Sequence, residues 1–258
     1  MSLRLVVLAL AAFLTVPTAV VIAVSFNPTA ILSFPPAGFS LRWYVNVLTY
    51  PQFQRAALNT VLVTAWAVAL ALPIGTLAAL ALERARLRGR NLWAAALLSP
   101  LVVPGVAAGL GFLILASSLG LLRSRSVLIA AHVALVLPFV VRSVWVSVKN
   151  LDPALERAAA SLGATPWRVF RRVTLPLLRP GLFAGALFAV VVSVNEFVVS
   201  LFISTRVTEI LPVAMFTYVV NYTDPTIAAL STLFILATFL AVWVADRYLG
   251  LGRVFLQH

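Results

Sequence analysis

Long apolar runs, separated by short segments that carry arginines, are the feature that most limits how this chain folds. Several of the runs reach or exceed about 18 residues, the length that a helix needs to cross the hydrocarbon of a bilayer. Of the 258 residues, 62% are hydrophobic and only 10% are charged, whereas a soluble domain carries about 25% charged residues. The sequence therefore predicts an all-α integral membrane protein and argues against a large soluble α/β core.

Six of the runs are predicted to be transmembrane helices of a single transmembrane domain that covers residues 1–258. They are residues 5–24, 57–82, 92–116, 127–148, 181–203 and 226–248. The first run could instead be a signal peptide, but it is longer than a typical apolar signal region and has no clear cleavage site before Asn27, so a retained helix is favoured. The third contains Pro100 and Pro104, and a helix that lacks these amide donors is expected to be kinked or interrupted.

The basic residues are divided unevenly between the two predicted faces of the membrane. With the N-terminus inside, thirteen Lys and Arg residues fall on the inner face and five on the outer face, and residues 84–90 alone contribute four of the thirteen. Cytoplasmic loops of membrane proteins carry such an excess. Both termini are therefore predicted to be cytoplasmic, and the net charge of +12 is interpreted as topological rather than as a nucleic-acid-binding surface.

The chain has few residues of the kinds that metal sites and enzyme active sites require. It has no cysteine, and its two histidines are His132 and the terminal His258, so neither a thiolate nor a histidine-rich metal site is expected. Its one lysine, Lys149, follows no glycine-rich run, which argues against a P-loop for ATP. No catalytic residue, metal or cofactor is predicted, and His132 is interpreted as a hydrogen-bonded residue between helices rather than a proton relay.

Residues 149–180, called the polar loop below, form the most polar and cationic segment of any length. Capping chemistry predicts two short helices in it. The first begins after Asp152 and stops at Gly163, and the second begins after Thr165 and is expected to end at Pro176.

Each predicted helix of the polar loop has one apolar face. The first presents Leu151, Leu155, Ala158, Ala159 and Leu162, and the second Trp167, Phe170 and Val173. Such a face is suited to docking against another protein, and it is equally suited to resting on anionic lipid headgroups. The residues alone leave both interpretations open.

The polar loop resembles the EAA loop of binding-protein-dependent ABC importer permeases. The family pattern is Glu-Ala-Ala, three residues, Gly, nine residues and Ile-x-Leu-Pro. The corresponding residues here, at the same spacing, are Arg157, Ala158, Ala159, Gly163, Val173, Thr174, Leu175 and Pro176. Arg157 occupies the glutamate position, and Glu156, one residue earlier, is a candidate to replace that glutamate in an ion pair.

The resemblance implies a type I ABC importer permease fold with six transmembrane helices and a cytoplasmic coupling helix. In the family this loop docks into a groove of the ATP-binding subunit. The resemblance assigns ATPase coupling to Glu156, Arg157, Ala158, Ala159, Gly163, Leu175 and Pro176.

Four further segments resemble the second permease of spermidine/putrescine-type importers. They are SFNPTA…FPPAGFSLRWY, NEFVVSLFIS, LPVAMF and TDPTIAALSTL. The resemblance implies import of a polyamine or another small organic ion across the bacterial inner membrane. It also implies four partners besides membrane lipid: two ATP-binding subunits, which bind the ATP and Mg, a second homologous permease in a heterodimer, and a periplasmic or lipid-anchored substrate-binding protein.

Ionisable residues inside a membrane span are costly, at roughly 2.5–3.5 kcal/mol each on insertion scales, and a role is expected for each. Glu196 is the only acidic residue well inside a predicted span. With Ser193, Asn195 and Ser200 it is predicted to line a path for a cationic substrate. The alternatives are an interhelical hydrogen bond and a salt bridge to Arg142 in the fourth span.

Other roles remain open for several residues outside the polar loop. Asp224 is a weaker acidic candidate that could simply cap the last helix. The aromatic stretch 39–53, with Tyr218 and Tyr222, is expected to lie at the outer membrane interface and to face the binding protein, an expectation that rests on topology and family.

Two rival functions use the same residues differently. A stand-alone secondary transporter would use Glu196 as a proton or ion site, although the sequence has no convincing internal repeat. A non-transporting membrane scaffold would use the arginine-rich loops to bind lipid or nucleic acid.

Overall fold

The computed structural model describes residues 3–85, 87–122 and 124–249, and the described chain is built from helices. In chain order they are α1 (Leu3–Val24), α2 (Arg42–Thr49), α3 (Pro51–Arg84), α4 (Arg90–Leu98), α5 (Gly105–Ser118), α6 (Arg125–Lys149), α7 (Pro153–Ser161), α8 (Pro166–Val169), α9 (Leu175–Leu177), α10 (Arg179–Asn195), α11 (Val198–Ile203), α12 (Leu211–Asn221) and α13 (Thr226–Leu249). A 3-10 turn, Ser99–Leu101, extends α4, and a π-helical turn, Phe170–Thr174, joins α8 to α9.

Three of these helices, α1, α3 and α6, are long and apolar enough to cross a membrane by length and composition. The number rises to five if each of two bent helix pairs counts as one span. One bent pair consists of Arg90–Leu101 and Gly105–Ser118, which meet at 95°. The interruption predicted from the prolines of the third run is therefore confirmed.

The described residues form two compact units, and each has its own core. The first unit contains the chain up to Leu58 together with Ile210–Val244. The second contains Asn59–Glu209 and the end of α13 from Ala245.

In the first unit, aromatic residues from α2 and α3 pack against α12. Trp43 is 5% exposed and Phe53 is 2% exposed, and both belong to a cluster with Leu211 and Tyr218. The Trp43 indole also donates a hydrogen bond of 2.6 Å to the carbonyl of Asn27. Trp43, Phe53 and Tyr218 are therefore buried by the protein itself and are not exposed at a membrane interface. That this stretch faces a binding protein stays a prediction.

Helix α12 is a feature that the sequence analysis does not predict, because it lies between the fifth and the sixth predicted spans. Eleven residues are too short for a membrane span, so a search for spans passes over such a helix. Its Tyr218 hydroxyl donates to Asp224 at 2.9 Å, and the same carboxylate accepts the amide of Thr226 at 2.8 Å. Asp224 thus caps α13, which confirms the simpler of its two predicted roles.

In the second unit, α6 packs closely between α3 and α10. A Cβ atom on Gly75 would lie 2.7 Å from the Val140 side chain, and one on Gly185 would lie 3.2 Å from the Val140 backbone. Small residues at both contacts let the helices approach closely, which is the usual way in which helices associate in membranes. Helices α3, α6 and α10 are therefore tightly packed against one another.

Candidate functional site

The polar loop has the two helix starts that its capping residues predict. The Asp152 carboxylate accepts the amide of Ala154 at 2.8 Å, and the Thr165 hydroxyl accepts the amide of Arg168 at 3.4 Å. Gly163 lies between the two helices with φ +81°, a left-handed conformation that favours glycine. The start of both helices and the turn at Gly163 are therefore confirmed.

The second helix ends at Leu177, one residue after the predicted end at Pro176. Helix α8 continues through the π-helical turn Phe170–Thr174 into α9, which contains Pro176 in its first turn. Pro176 has no amide hydrogen and cannot extend the ladder of backbone hydrogen bonds, in keeping with a helix end next to it. The polar loop therefore joins α10 through helical turns, with a bend of 64° between Pro166–Leu177 and Arg179–Asn195.

Glu156 ties the polar loop to the end of α3. The Arg84 guanidinium lies 2.7 Å from Oε1 of Glu156, and the buried hydroxyl of Thr174 donates to the same oxygen. Arg157, at the family's glutamate position, is exposed. Glu156 thus forms an ion pair, as expected if it replaces the family's glutamate. Its partner is an arginine of the same chain.

The remaining coupling candidates differ in exposure. Ala158 and Gly163 are exposed, and Ala159, Leu175 and Pro176 are half-buried. The most exposed large apolar residues of the polar loop are Leu162, at 90%, and Trp167, at 68%. The apolar face predicted for the loop is therefore turned outward at these two residues.

A second acidic anchor near the polar loop was not found by sequence reasoning. Glu83 pairs with Arg90, and it accepts a hydrogen bond of 2.7 Å from the Trp145 indole of α6. The Lys149 ammonium lies 4.3 Å from the centre of the Trp145 ring. Adjacent residues of α3, Glu83 and Arg84, thus hold α6 and the polar loop.

The fifth predicted span is not one continuous helix, because it breaks at Glu196. Helix α10 ends at Asn195 and α11 begins at Val198. The Glu196 carboxylate accepts the amides of Val199, at 2.8 Å, and Ser200, at 2.9 Å, and it accepts the Ser200 hydroxyl at 2.6 Å. It therefore supplies the acceptors that the first amides of α11 need where water is scarce.

His132 of α6 joins this break to the neighbouring helices. Its Nδ1 lies 2.8 Å from the Ser193 hydroxyl and its Nε2 lies 3.0 Å from the Ser200 hydroxyl. The Ser193 hydroxyl also contacts that of Thr64, in α3, at 2.9 Å. His132 is 1% exposed, and both ring nitrogens are hydrogen-bonded, as its interpretation as a residue between helices requires.

The structure brings together three of the four residues predicted for a substrate path. Ser193, Glu196 and Ser200 share the hydrogen-bonded group around His132, whereas Asn195 is exposed and donates to the carbonyl of Val191 in its own helix. Of the two alternatives for Glu196, the salt bridge to Arg142 is wrong, since these two described residues form no ion pair. Arg142 instead lines a cavity of about 920 Å³ between α6 and α10.

A comparison with protein families matches residues 71–249 to the model described as "Binding-protein-dependent transport system inner membrane component". Among curated proteins, the chain is 34% identical to the putrescine transport system permease protein PotI of Escherichia coli K12, over 94% of this chain and 89% of that one. It is 29% identical to the spermidine/putrescine transport system permease protein PotC of the same organism, over 91% and 88%.

A solved structure has the same fold. It is a bacterial alginate ABC transporter in complex with an alginate pentasaccharide-bound periplasmic protein, and one of its chains superposes with a TM-score of 0.75. The match covers 95% of this chain and 91% of that chain, at 18% sequence identity.

Proposed function

This chain belongs to the family of binding-protein-dependent transport system inner membrane components, and from that membership we propose that it moves a small organic cation, a polyamine, as the membrane subunit of an ABC importer. The permease identity follows from the family and from the relatives. The polyamine assignment is supported by the names of PotI and PotC. The observation that carries it on this chain is the Glu196 carboxylate at the break between α10 and α11.

The cation assignment follows from the charge of that carboxylate. Glu196 is only partly buried, and its hydrogen-bond partners, Val199 and Ser200, carry no charge. An anionic group inside an apolar bundle attracts a positively charged ligand, and ammonium groups are what a polyamine offers. We propose that Ser193, Asn195, Glu196 and Ser200 border the substrate path, with Glu196 as the charged contact.

The proposed topology has six crossings with both termini in the cytoplasm of the bacterial inner membrane. The crossings are α1, α3, the bent pair α4–α5, α6, the interrupted pair α10–α11 and α13. The excess of arginines in the segments assigned to the inside supports this orientation.

The proposed partners are two ATP-binding subunits, a second homologous permease and a periplasmic or lipid-anchored binding protein. ATP and Mg would be bound by the ATP-binding subunits, and this chain would carry neither catalytic residue nor cofactor. The polar loop is the proposed docking element, because it is folded, exposed at Leu162 and Trp167, and tied to α3 through Glu156. Closure of the ATP-binding subunits would move the loop and, through it, the bundle.

Affinity purification of the tagged chain in mild detergent tests this proposal, followed by identification of the co-eluting proteins and an ATPase assay. We expect an ATP-binding subunit to co-elute and to be lost with Gly163→Asp. A chain that elutes alone, without ATPase activity, would contradict the importer assignment. Uptake of putrescine into proteoliposomes of the purified complex then tests the substrate.

Two other functions would give different results in these assays. An importer of another small organic solute would retain ATPase coupling but would not take up putrescine. A stand-alone ion-coupled transporter, with Glu196 as its ion site, would take up substrate along an ion gradient without ATP.

A further inference from the structure

The hydrogen bonds around His132 form one continuous chain with a single donor direction. The chain links Thr64, Ser193, His132, Ser200 and Glu196, and its contacts measure 2.9, 2.8, 3.0 and 2.6 Å in that order. It crosses from α3 through α10 and α6 to α11. Its direction follows from counting hydrogens, beginning at the carboxylate.

At Glu196, every hydrogen-bond partner is a donor. The two carboxylate oxygens accept the amides of Val199 and Ser200, one on each oxygen, which is the arrangement of an ionised carboxylate. The Ser200 hydroxyl then donates its only hydrogen to Glu196. It has no second hydrogen for His132, so it can only accept from the ring.

This constraint sets the tautomer of the imidazole. Since Ser200 accepts, His132 donates from Nε2. In the neutral ring Nδ1 is then an acceptor, so Ser193 donates to it and Thr64 donates to Ser193. With an ionised Glu196 and a neutral ring, one arrangement of hydrogens gives every group in the chain a partner.

We propose that His132 is a positioning residue for Glu196. By donating from Nε2 to Ser200, it holds the Ser200 hydroxyl as a donor to the carboxylate and so fixes the position of Glu196 at the helix break. This inference rests on the proposed function in one respect, namely that Glu196 is the charged contact for the cation. The arrangement of the hydrogens does not depend on the substrate.

The tautomer can be measured without transport. The chain has two histidines, so ¹⁵N-histidine labelling of the His258→Gln variant, purified as the single untagged chain, gives the solid-state NMR signals of His132 alone. We expect a neutral ring that is protonated at Nε2. A ring protonated at Nδ1, or at both nitrogens, would overturn the proposal.

Coupling between Glu196 and the ring through Ser200 is tested by two neighbouring substitutions in the same background. Glu196→Ala frees the Ser200 hydroxyl to donate to His132, so we expect the preference for Nε2 protonation to fall at least threefold. Asn195→Ala is the matched control, because within the described part of the chain the Asn195 side chain bonds to its own helix, and it should leave the tautomer unchanged. An unchanged tautomer in Glu196→Ala would contradict the coupling.

A kinetic measurement addresses the positioning role. We expect His132→Phe to raise the KM for putrescine uptake about tenfold while the maximal rate per inserted complex changes less, and His132→Gln, which keeps an amide donor, to recover part of the loss. A fall in the maximal rate alone would indicate a merely structural role and refute the positioning role. If the wild-type complex takes up no putrescine, the proposed substrate fails, whereas the tautomer result still decides the arrangement of the hydrogens.

Discussion

The Arg84 guanidinium and the Glu156 carboxylate, 72 residues apart in sequence, form an ion pair of 2.7 Å between the end of α3 and helix α7. Both side chains are partly exposed, so the pair contributes little to stability, about 0.2–1 kcal/mol. Its place matters more than its strength, because with Thr174 it is a polar link between α7 and the rest of the second unit.

We therefore expect Arg84→Ala to lower substrate-stimulated ATPase activity severalfold, with little change in thermal unfolding of the purified chain. The reversed pair Arg84→Glu with Glu156→Arg should recover part of the activity. Arg88→Ala is the control, since Arg88 is an exposed arginine just beyond the same helix end. Equal losses in Arg84→Ala and Arg88→Ala would show that net charge, rather than this pair, is responsible.

Gly163 has a left-handed backbone, and a Cβ atom there would meet nothing within 4 Å. Substitution therefore strains the backbone without a clash. Gly163→Ala should destabilise the turn by about 1 kcal/mol and reduce the recovery of ATP-binding subunits, and Gly163→Asn should have a smaller effect because asparagine tolerates this conformation. Recovery is read by quantitative co-purification, and an asparagine variant as defective as the alanine variant would contradict the argument.

Leu162 is almost fully exposed on the polar loop. If the loop docks a protein there, Leu162→Ala should weaken co-purification of the ATP-binding subunits about tenfold and leave the unfolding temperature of the chain unchanged. Leu92→Ala, at a similarly exposed leucine of α4, should affect neither quantity. Loss of binding to anionic vesicles, with co-purification intact, would instead assign the surface to lipid.

Gly109 is a point of close contact between α5 and α11. A Cβ atom there would lie 2.7 Å from the Phe202 ring and 3.2 Å from the Val199 backbone. Gly109→Ala should therefore destabilise the chain by about 1–3 kcal/mol, seen as a lower unfolding temperature in detergent. Gly111, in the same helix, has open space at its Cβ position, so Gly111→Ala should be neutral or slightly stabilising.

Glu196→Gln keeps the size of the side chain and removes its charge. A glutamine oxygen can accept at only one of the two positions where α11 needs an acceptor, so both the cap and the attraction for a cation weaken. We expect putrescine uptake at low concentration to fall at least tenfold, while basal ATPase activity stays within about twofold. Uptake at the wild-type level would remove Glu196 from the substrate path.

Local signals in the sequence were sufficient for the polar loop. Asp152, Gly163 and Thr165 act on the backbone within three residues of themselves, so their roles could be predicted from residue type and spacing. Arg84 was not predicted as the partner of Glu156, because that pairing depends on how α3 and α7 pack.

The break at Glu196 carried no such signal. Neither glycine nor proline marks Asn195–Val198, and the break is stabilised by a carboxylate that caps the next helix and by His132, 68 residues before Ser200. Helical spacing predicts that Ser193, Glu196 and Ser200 lie close together, and they do. They are joined by hydrogen bonds through His132 and not by a continuous helix. Asn195 was assigned to the same face because the break was not foreseen.

The polar loop forms its own helix caps and its own turn, and the ion pair of Glu156 with Arg84 links it to α3. The exposed side chains of Leu162 and Trp167 form none of the side-chain hydrogen bonds of those caps. Substitutions of these two side chains are therefore expected to leave the packing of the long helices unchanged. The choice of ATP-binding subunit and the packing of the transmembrane helices can therefore change independently of each other. A polar loop transplanted into another permease should still bind the ATP-binding subunit of its original partner.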